Sequence, residues 1–164
     1  MKFLINSMLG KLTRFLRIFG FDAVYANDLI DYFKIDPVPD EKLIEFAKQN
    51  DRVIITKDYL LYKNNRSKTI LLEGEGIYNY LSQLNNNGLE FIFNIEKARC
   101  SMCNSELKKV NEKDLIKDLI LEETFNHYNE FFQCINPQCK KVYWKGSHIE
   151  DIINKIEDKL ELNS

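Results

Sequence analysis

The sequence predicts an α/β protein: a parallel sheet flanked by helices over residues 1–95, a small four-cysteine unit over 96–146, and a closing helix and tail over 147–164. Three observations lead there. Short β-branched runs alternate with amphipathic stretches through the first 95 residues, the pattern of strands joined by crossover helices. All four cysteines lie beyond residue 97, in two close pairs. After Gly146 a helical pattern with a capping signal takes over.

The elements follow in order. "MKFLIN" reads as a buried strand ending in the polar Asn6, and "MLGKLTRFLRIFG" then sets Leu9, Leu12, Phe15, Leu16 and Phe19 at helical spacing, with Gly20 placed to cap the end. "FDAVYA" is a second short strand, and "NDLIDYFKIDPVP" is a polar connection with two prolines. "PDEKLIEFAKQND" is an amphipathic helix with Asp40 near its start and Leu43, Ile44, Phe46 and Ala47 on its apolar face. "RVIITKD" is the strongest strand, β-branched and ending in Thr56, Lys57 and Asp58. "YLLYKNNR" is a short helix, "KTILLEG" another strand, and "GIYNYLSQLNNNG" a helix stopped by glycine. "EFIFNI" is either a last strand or the linker to the second unit. Between the cysteine pairs "NEKDLIKDLILEETFNHYNE" is helical in part. "SHIEDIINKIEDKLE" is a helix with Ser147 as N-cap and Glu150 three residues on. Parallel strands joined in this way require right-handed connections.

Hydrophobic residues at 45% and charged residues at 29% carry too much apolar content for a disordered chain, so the whole length is expected to fold. No apolar run approaches the roughly 20 residues of a membrane span. The opening segment is interrupted by Asn6, Lys11, Arg14 and Arg17, and lacks the unbroken apolar stretch of a signal peptide. The expectation is a cytoplasmic protein with no membrane partner, in a compartment that keeps thiols reduced. Formal net charge is −2; residues 1–95 set twelve basic against twelve acidic groups, and residues 96–164 eleven against thirteen. Bulk charge therefore advertises no nucleic-acid partner, and any such contact must come from local clusters.

Two residues separate Cys100 from Cys103, four separate Cys134 from Cys139, and thirty lie between the pairs. Two turns that each present two thiolates bring four sulfurs to one point, which is how a tetrahedral ion is held. Zinc is the expected ion, with iron as the alternative. Four thiolates leave no open position, so its role is structural, and its binding free energy stands in for a core that so small a unit barely builds.

In an open parallel sheet, ligands gather beyond the carboxyl ends of the strands. Here those ends carry Asn6, Asp28, Asp58 and Glu73, and Asp40 at a helix start can join them. Such an oxygen-rich cluster suits magnesium or manganese, ions that activate water and stabilise the leaving oxygen in phosphodiester cleavage. Singly, each carboxylate has a structural role open to it: Asp28 and Asp40 as helix caps, Asp58 as a turn former. Their common edge is what argues for a site. Lys11, Arg14 and Arg17 recur at helical spacing opposite the apolar face of the first helix, where they either contact phosphates or form a solvated face. Lys57, Lys145 and His148 complete the candidate substrate contacts. "YWKGSH" sets a cation beside an aromatic ring, a combination suited to single-stranded RNA. Trp144 itself is read as packing beneath the cysteine pair, and His148 is left open between capping the last helix and touching substrate. No role is assigned to His127.

"FLINSMLGKLTRFLRIFGFDAVYANDL", "DEKLIEFAKQNDRVIITKD", "RCSMCNSEL" and "FFQCINPQCKKVYWKGSH" together resemble the Mut7-C RNase domain family, from residue 3 to about residue 150. The resemblance implies a PIN-like nuclease domain fused to a C-terminal zinc ribbon, with metal-dependent ribonuclease activity on RNA. The family's acidic positions carry over to Asp40 and Asp58, and to Asp28. Where the family has aspartate this chain has Asn6, a neutral oxygen that implies weaker magnesium binding. The expected site is thus Asn6, Asp28, Asp40 and Asp58, with Asp40 and Asp58 on the magnesium or manganese ion and Cys100, Cys103, Cys134 and Cys139 on zinc. Two other classes stay open: an RNA-binding module without catalysis, suggested by Asn6, and a zinc-ribbon adaptor for a protein partner.

Overall fold

Strands β1 (Lys2–Ile5), β2 (Asp22–Tyr25), β3 (Val53–Thr56) and β4 (Thr69–Leu71) run parallel in the order β2-β1-β3-β4. This is a computed structural model, and it describes residues 1–161. The end of the expected tail, 162–164, lies outside the described residues. Register sets Ile5 between Tyr25 and Ile55, so the central strands end level with one another. Phe3, Leu4 and Ile5 are all buried, as a parallel sheet covered on both faces requires.

Alternation along β1 divides the core. Phe3 and Ile5 face a cluster with Leu12, Phe15 and Leu16 of α1 (Gly10–Ile18) and Leu81 and Leu84 of α5 (Ile77–Asn86). Leu4 faces the other side, with Ile54, Leu43 and Ala47 of α3 (Asp40–Gln49), and Leu61 of α4 (Tyr59–Asn64). Gly20 ends α1 as expected: at φ +87° its amide bonds to the Arg17 carbonyl and the Phe21 amide to the Leu16 carbonyl. A Cβ there would come within 2.8 Å of the Lys97 carbonyl, so the linker to the second unit also demands glycine.

One segment differs from the sequence reading, and one open alternative is settled. The connection after β2 is helical, a 3-10 turn over Ala26–Leu29 running into α2 (Ile30–Phe33), because Leu29 and Phe33 fall at helical spacing and pack on the second core. "EFIFNI" is the linker, and among the described residues it pairs with no strand. Its rings go into the core instead, Phe91 and Phe93 lying edge-on to Phe19 at 5.6 and 6.2 Å.

The cysteine unit is an antiparallel sheet of β5 (Leu107–Lys109), β6 (Phe132–Cys134) and β7 (Val142–Tyr143), in that order. Between β5 and β6 come a 3-10 segment, Lys113–Leu119, and α6 (Glu122–His127), the partial helix expected there. Ile116, Phe131 and Val142 form its small core, and Trp144 packs against it as anticipated. Helix α7 (Ser147–Glu161) then returns to the first unit, where Ile152 and Ile156 enter the main core beside α5. Its cap lies one residue earlier than expected: the Gly146 carbonyl accepts the Ile149 and Glu150 amides, and Ser147 is the first helical residue.

Candidate active site and metal centre

The carboxyl ends of β1 and β3 are locked together by Asn6. Its Nδ2 donates to Thr56 Oγ1 (2.8 Å), and its Oδ1 accepts from the Ser7 amide (2.7 Å). The amide donor fixes which end of the side chain is oxygen. With both ends engaged and the residue only 7% exposed, Asn6 is chiefly a clasp between strands. Thr56 Oγ1 also accepts the Asp58 amide at 2.9 Å, which continues the chain of contacts to the next carboxylate.

Asp58 caps α4, its Oδ1 accepting the Leu60 and Leu61 amides at 2.7 and 3.2 Å. Capping therefore accounts for one oxygen only. Asp40 is the first residue of α3 and does not cap it, since Pro39 holds that position and offers its carbonyl to Lys42 and Leu43. The Asp40 carboxyl is held above its usual range by partial burial, then by the charges of Asp58 and Glu41. The Asp58 charge thus reaches Asp40, although the two lie eighteen positions apart in sequence.

Lys57 stands next to Asp58, ion-paired with Glu75, and lies over the Tyr80 ring at 5.6 Å. Tyr80 Oη in turn donates to Glu75 Oε2 at 3.0 Å. The hydrogen bond to Glu75 raises the lysine and lowers the glutamate, so both stay charged. Sequence reasoning missed Thr56, Glu75 and Tyr80 as parts of this edge. Thr56 was visible in "TKD", whereas Glu75 and Tyr80 carry no local signal.

Asp28 and Arg17 depart from their expected roles by pairing with each other. Arg17 is 3% exposed. Its Nη2 meets Asp28 Oδ2 at 2.9 Å, its Nε donates to the Ala23 carbonyl, and its Nη1 donates to the Ser101 and Met102 carbonyls. A guanidinium so enclosed is not available to a phosphate, and Asp28 is turned towards it. Lys11 and Arg14 remain exposed on α1, as do Lys145 and His148 at the start of α7; His148 does not cap that helix. Glu73 is exposed beyond β4.

Four sulfurs from two knuckles meet at the second site. Cys100 and Cys139 Sγ lie 3.7 Å apart, Cys103 and Cys134 Sγ 3.4 Å apart, and all four fall within 4.8 Å of one another. A tetrahedron with zinc–sulfur bonds of about 2.3 Å has edges near 3.8 Å, whereas a disulfide needs about 2.05 Å. The donor set fits zinc. Asn104 and Lys140, each following the second cysteine of a pair, take left-handed φ values of 67° and 54° and turn the chain back. The wider second pair is shaped by Asn136, whose carbonyl accepts the Cys139 amide at 3.0 Å. Tyr143 Oη lies 3.1 Å from Cys100 Sγ and accepts the Ser101 amide, an outer contact that the sequence did not reveal. Burial, then the neighbouring sulfurs, push Cys134 up to about 12, so without a cation the four thiols do not ionise together. Among the described residues these cysteines are the one group of three or more ligating side chains close enough to share an ion; the edge carboxylates make no such group.

The parallel sheet with its polar carboxyl edge and the four-cysteine unit docked on it make a PIN-like domain joined to a zinc ribbon. The family model described as the Mut7-C RNAse domain matches residues 1–156, and the chain belongs to that family. Neither a curated protein nor a solved structure gave a match. Membership points to a nuclease or RNA-related role, and the cysteine cluster can hold zinc. No helix among the described residues is long and apolar enough to cross a membrane.

Proposed function

We propose that the chain is a divalent-metal-dependent ribonuclease that cuts single-stranded RNA at the carboxyl edge of its parallel sheet. The charge of Asp58 acting on Asp40 at this edge carries this reading. It adds to the cost of ionising Asp40, a cost that a divalent cation would relieve. Magnesium or manganese bound there would supply Lewis-acid charge to a phosphate and an activated water. The chain's own residues do the rest. Thr56 and Asn6 fix the strand ends, the α4 cap orients Asp58, and Lys57, kept cationic by Glu75, offers positive charge to the scissile phosphate. Lys11 and Arg14 extend that charge along the RNA, with Lys145 and His148 as contacts on the ribbon side.

Asn6 favours a second reading, an RNA-binding module without catalysis, because both ends of its amide are already engaged. One experiment separates the two. Manganese is titrated calorimetrically into zinc-loaded parent, Asp58→Asn and Asn6→Asp, and each is assayed on a labelled single-stranded RNA. Asparagine caps a helix as well as aspartate does, so Asp58→Asn keeps the fold. Parent binding and cleavage are expected, with Asp58→Asn losing manganese and about 100-fold or more in rate, and Asn6→Asp binding manganese more tightly. Equal cleavage by Asp58→Asn would place the site elsewhere. RNA binding by a parent that takes up no manganese would establish the second reading.

A further inference from the structure

We propose that the ribbon carries a nucleotide subsite of its own, a pocket that takes one base and its phosphate from a single-stranded RNA. This rests on the RNA reading above but not on cleavage. The pocket encloses about 350 Å³ between the linker and the ribbon, at the small end of the roughly 300–1,000 Å³ of ligand sites.

Its chemistry is that of a base receptor. Ile95 and the buried Phe132 supply an apolar lining, and His127 and Tyr128 supply rings, their centroids 4.7 Å apart at 79°. Rings of this kind accept any base by stacking. The Tyr128 ring is held in place from behind: it lies 6.2 Å from Trp144, which packs on Phe131 at 6.1 Å. Gly146 closes over both rings, and a Cβ there would approach Trp144 Nε1 to 2.9 Å and Tyr128 Oη to 3.3 Å. The platform is therefore set before any ligand arrives, which lowers the cost of binding.

Polar groups around the rings match the rest of a nucleotide. Lys145 is exposed and has no ion-pair partner among the described residues, so its charge is available to a phosphate. Asn129 Oδ1 is engaged by Lys113 Nζ at 3.4 Å, which leaves its amide nitrogen to donate to a base edge. Glu130, balanced by Lys109 Nζ at 3.5 Å, can accept from an exocyclic amine without bringing an uncompensated charge. This arrangement gives His127 and Lys145 a common purpose that neither has in the fold's packing.

The chain's single tryptophan, Trp144, touches Tyr128 and reports on the pocket directly. Zinc-loaded full-length protein is titrated with AMP, CMP, GMP and UMP, and with a short 2′-O-methyl oligonucleotide that resists cleavage, while Trp144 fluorescence is followed. His127→Ala and Lys145→Ala alter exposed side chains, and zinc content and melting temperature confirm that both variants fold. Saturable fluorescence changes in the parent, with oligonucleotide affinity weakened about tenfold or more in each variant, are the expected result. The same binding by Asp58→Asn would show the subsite independent of the catalytic edge. Oligonucleotide affinity unchanged in both variants overturns the subsite and leaves the edge reading intact. No binding of the oligonucleotide by the parent overturns the subsite and the RNA reading together.

Discussion

The fold disfavours the charge of Asp40. Its carboxyl is raised by burial, then by Asp58 and Glu41. A carboxyl raised on folding contributes most below the unfolded value of 3.8 and loses that contribution as pH climbs through the folded value. At neutral pH its ionised form is therefore a net cost, one that its partial exposure to solvent keeps small. Asp40→Asn should melt about 1–2 °C higher than the parent at pH 7 without divalent ions, the gain should fade towards pH 3, and manganese should reverse the order by stabilising the parent alone. Thermal melts across pH test this, and a lower melting temperature for the variant at pH 7 would mean that Asp40 has a partner stronger than its repulsion. Asp22 behaves oppositely. Burial works against its charge, but hydrogen bonds from Arg52 and Asn104 prevail and lower it. Its contribution is present above 3.8 and disappears as pH falls through the folded value.

At the scale of elements, the first cysteine knuckle serves strand β2 as an edge cover. An edge strand exposes unpaired backbone groups, and here Asn104 accepts the Ala23 amide at 3.0 Å while donating to Asp22 at 2.8 Å. Arg17 completes the joint by binding carbonyls on both sides of it. Arg17→Met keeps much of the volume but strips these carbonyls of donors, and should cost about 2–4 kcal/mol in urea melts while weakening zinc retention against a chelator. A loss under about 0.5 kcal/mol, the range of ordinary surface changes, would show the joint to be held elsewhere. This joint marks the limit of what the sequence discloses. The helix faces of α1 and α3, the "RVIITKD" strand and the four cysteines were legible, because periodicity and spacing are local. Arg17 was not: on α1 it continues the basic series of Lys11 and Arg14, and only the approach of residues 101 and 102, more than eighty positions later, turns a solvated base into a buried strut. The pairing of Asp28 with Arg17 was hidden for the same reason.

For the whole molecule, the ribbon lies in sequence between two contributors to one core. Helix α7 follows the ribbon, yet its Ile152 and Ile156 are buried with residues of α1 and α5. Burying two isoleucines is worth about 3–6 kcal/mol. Against that, docking α7 across an unfolded ribbon closes a loop of about fifty residues, at about 3–4 kcal/mol, which offsets most of that gain. A ribbon that is already folded delivers Ser147 to its starting point and removes this closure cost. Zinc should therefore govern more than the unit that binds it. Removing it with a chelator should abolish hydrogen-exchange protection at Cys100 and Cys134 in the ribbon, at Ala23, whose amide partner is Asn104, and along α7, while the Asn6 amide, bonded to the Ile55 carbonyl between β1 and β3, stays protected. If α7 kept its protection in the metal-free chain, its docking would be self-sufficient and the ribbon only an appendage. If Asn6 lost protection with the rest, ribbon and sheet would form a single cooperative unit, and the metal would be a condition for the fold that carries the proposed site.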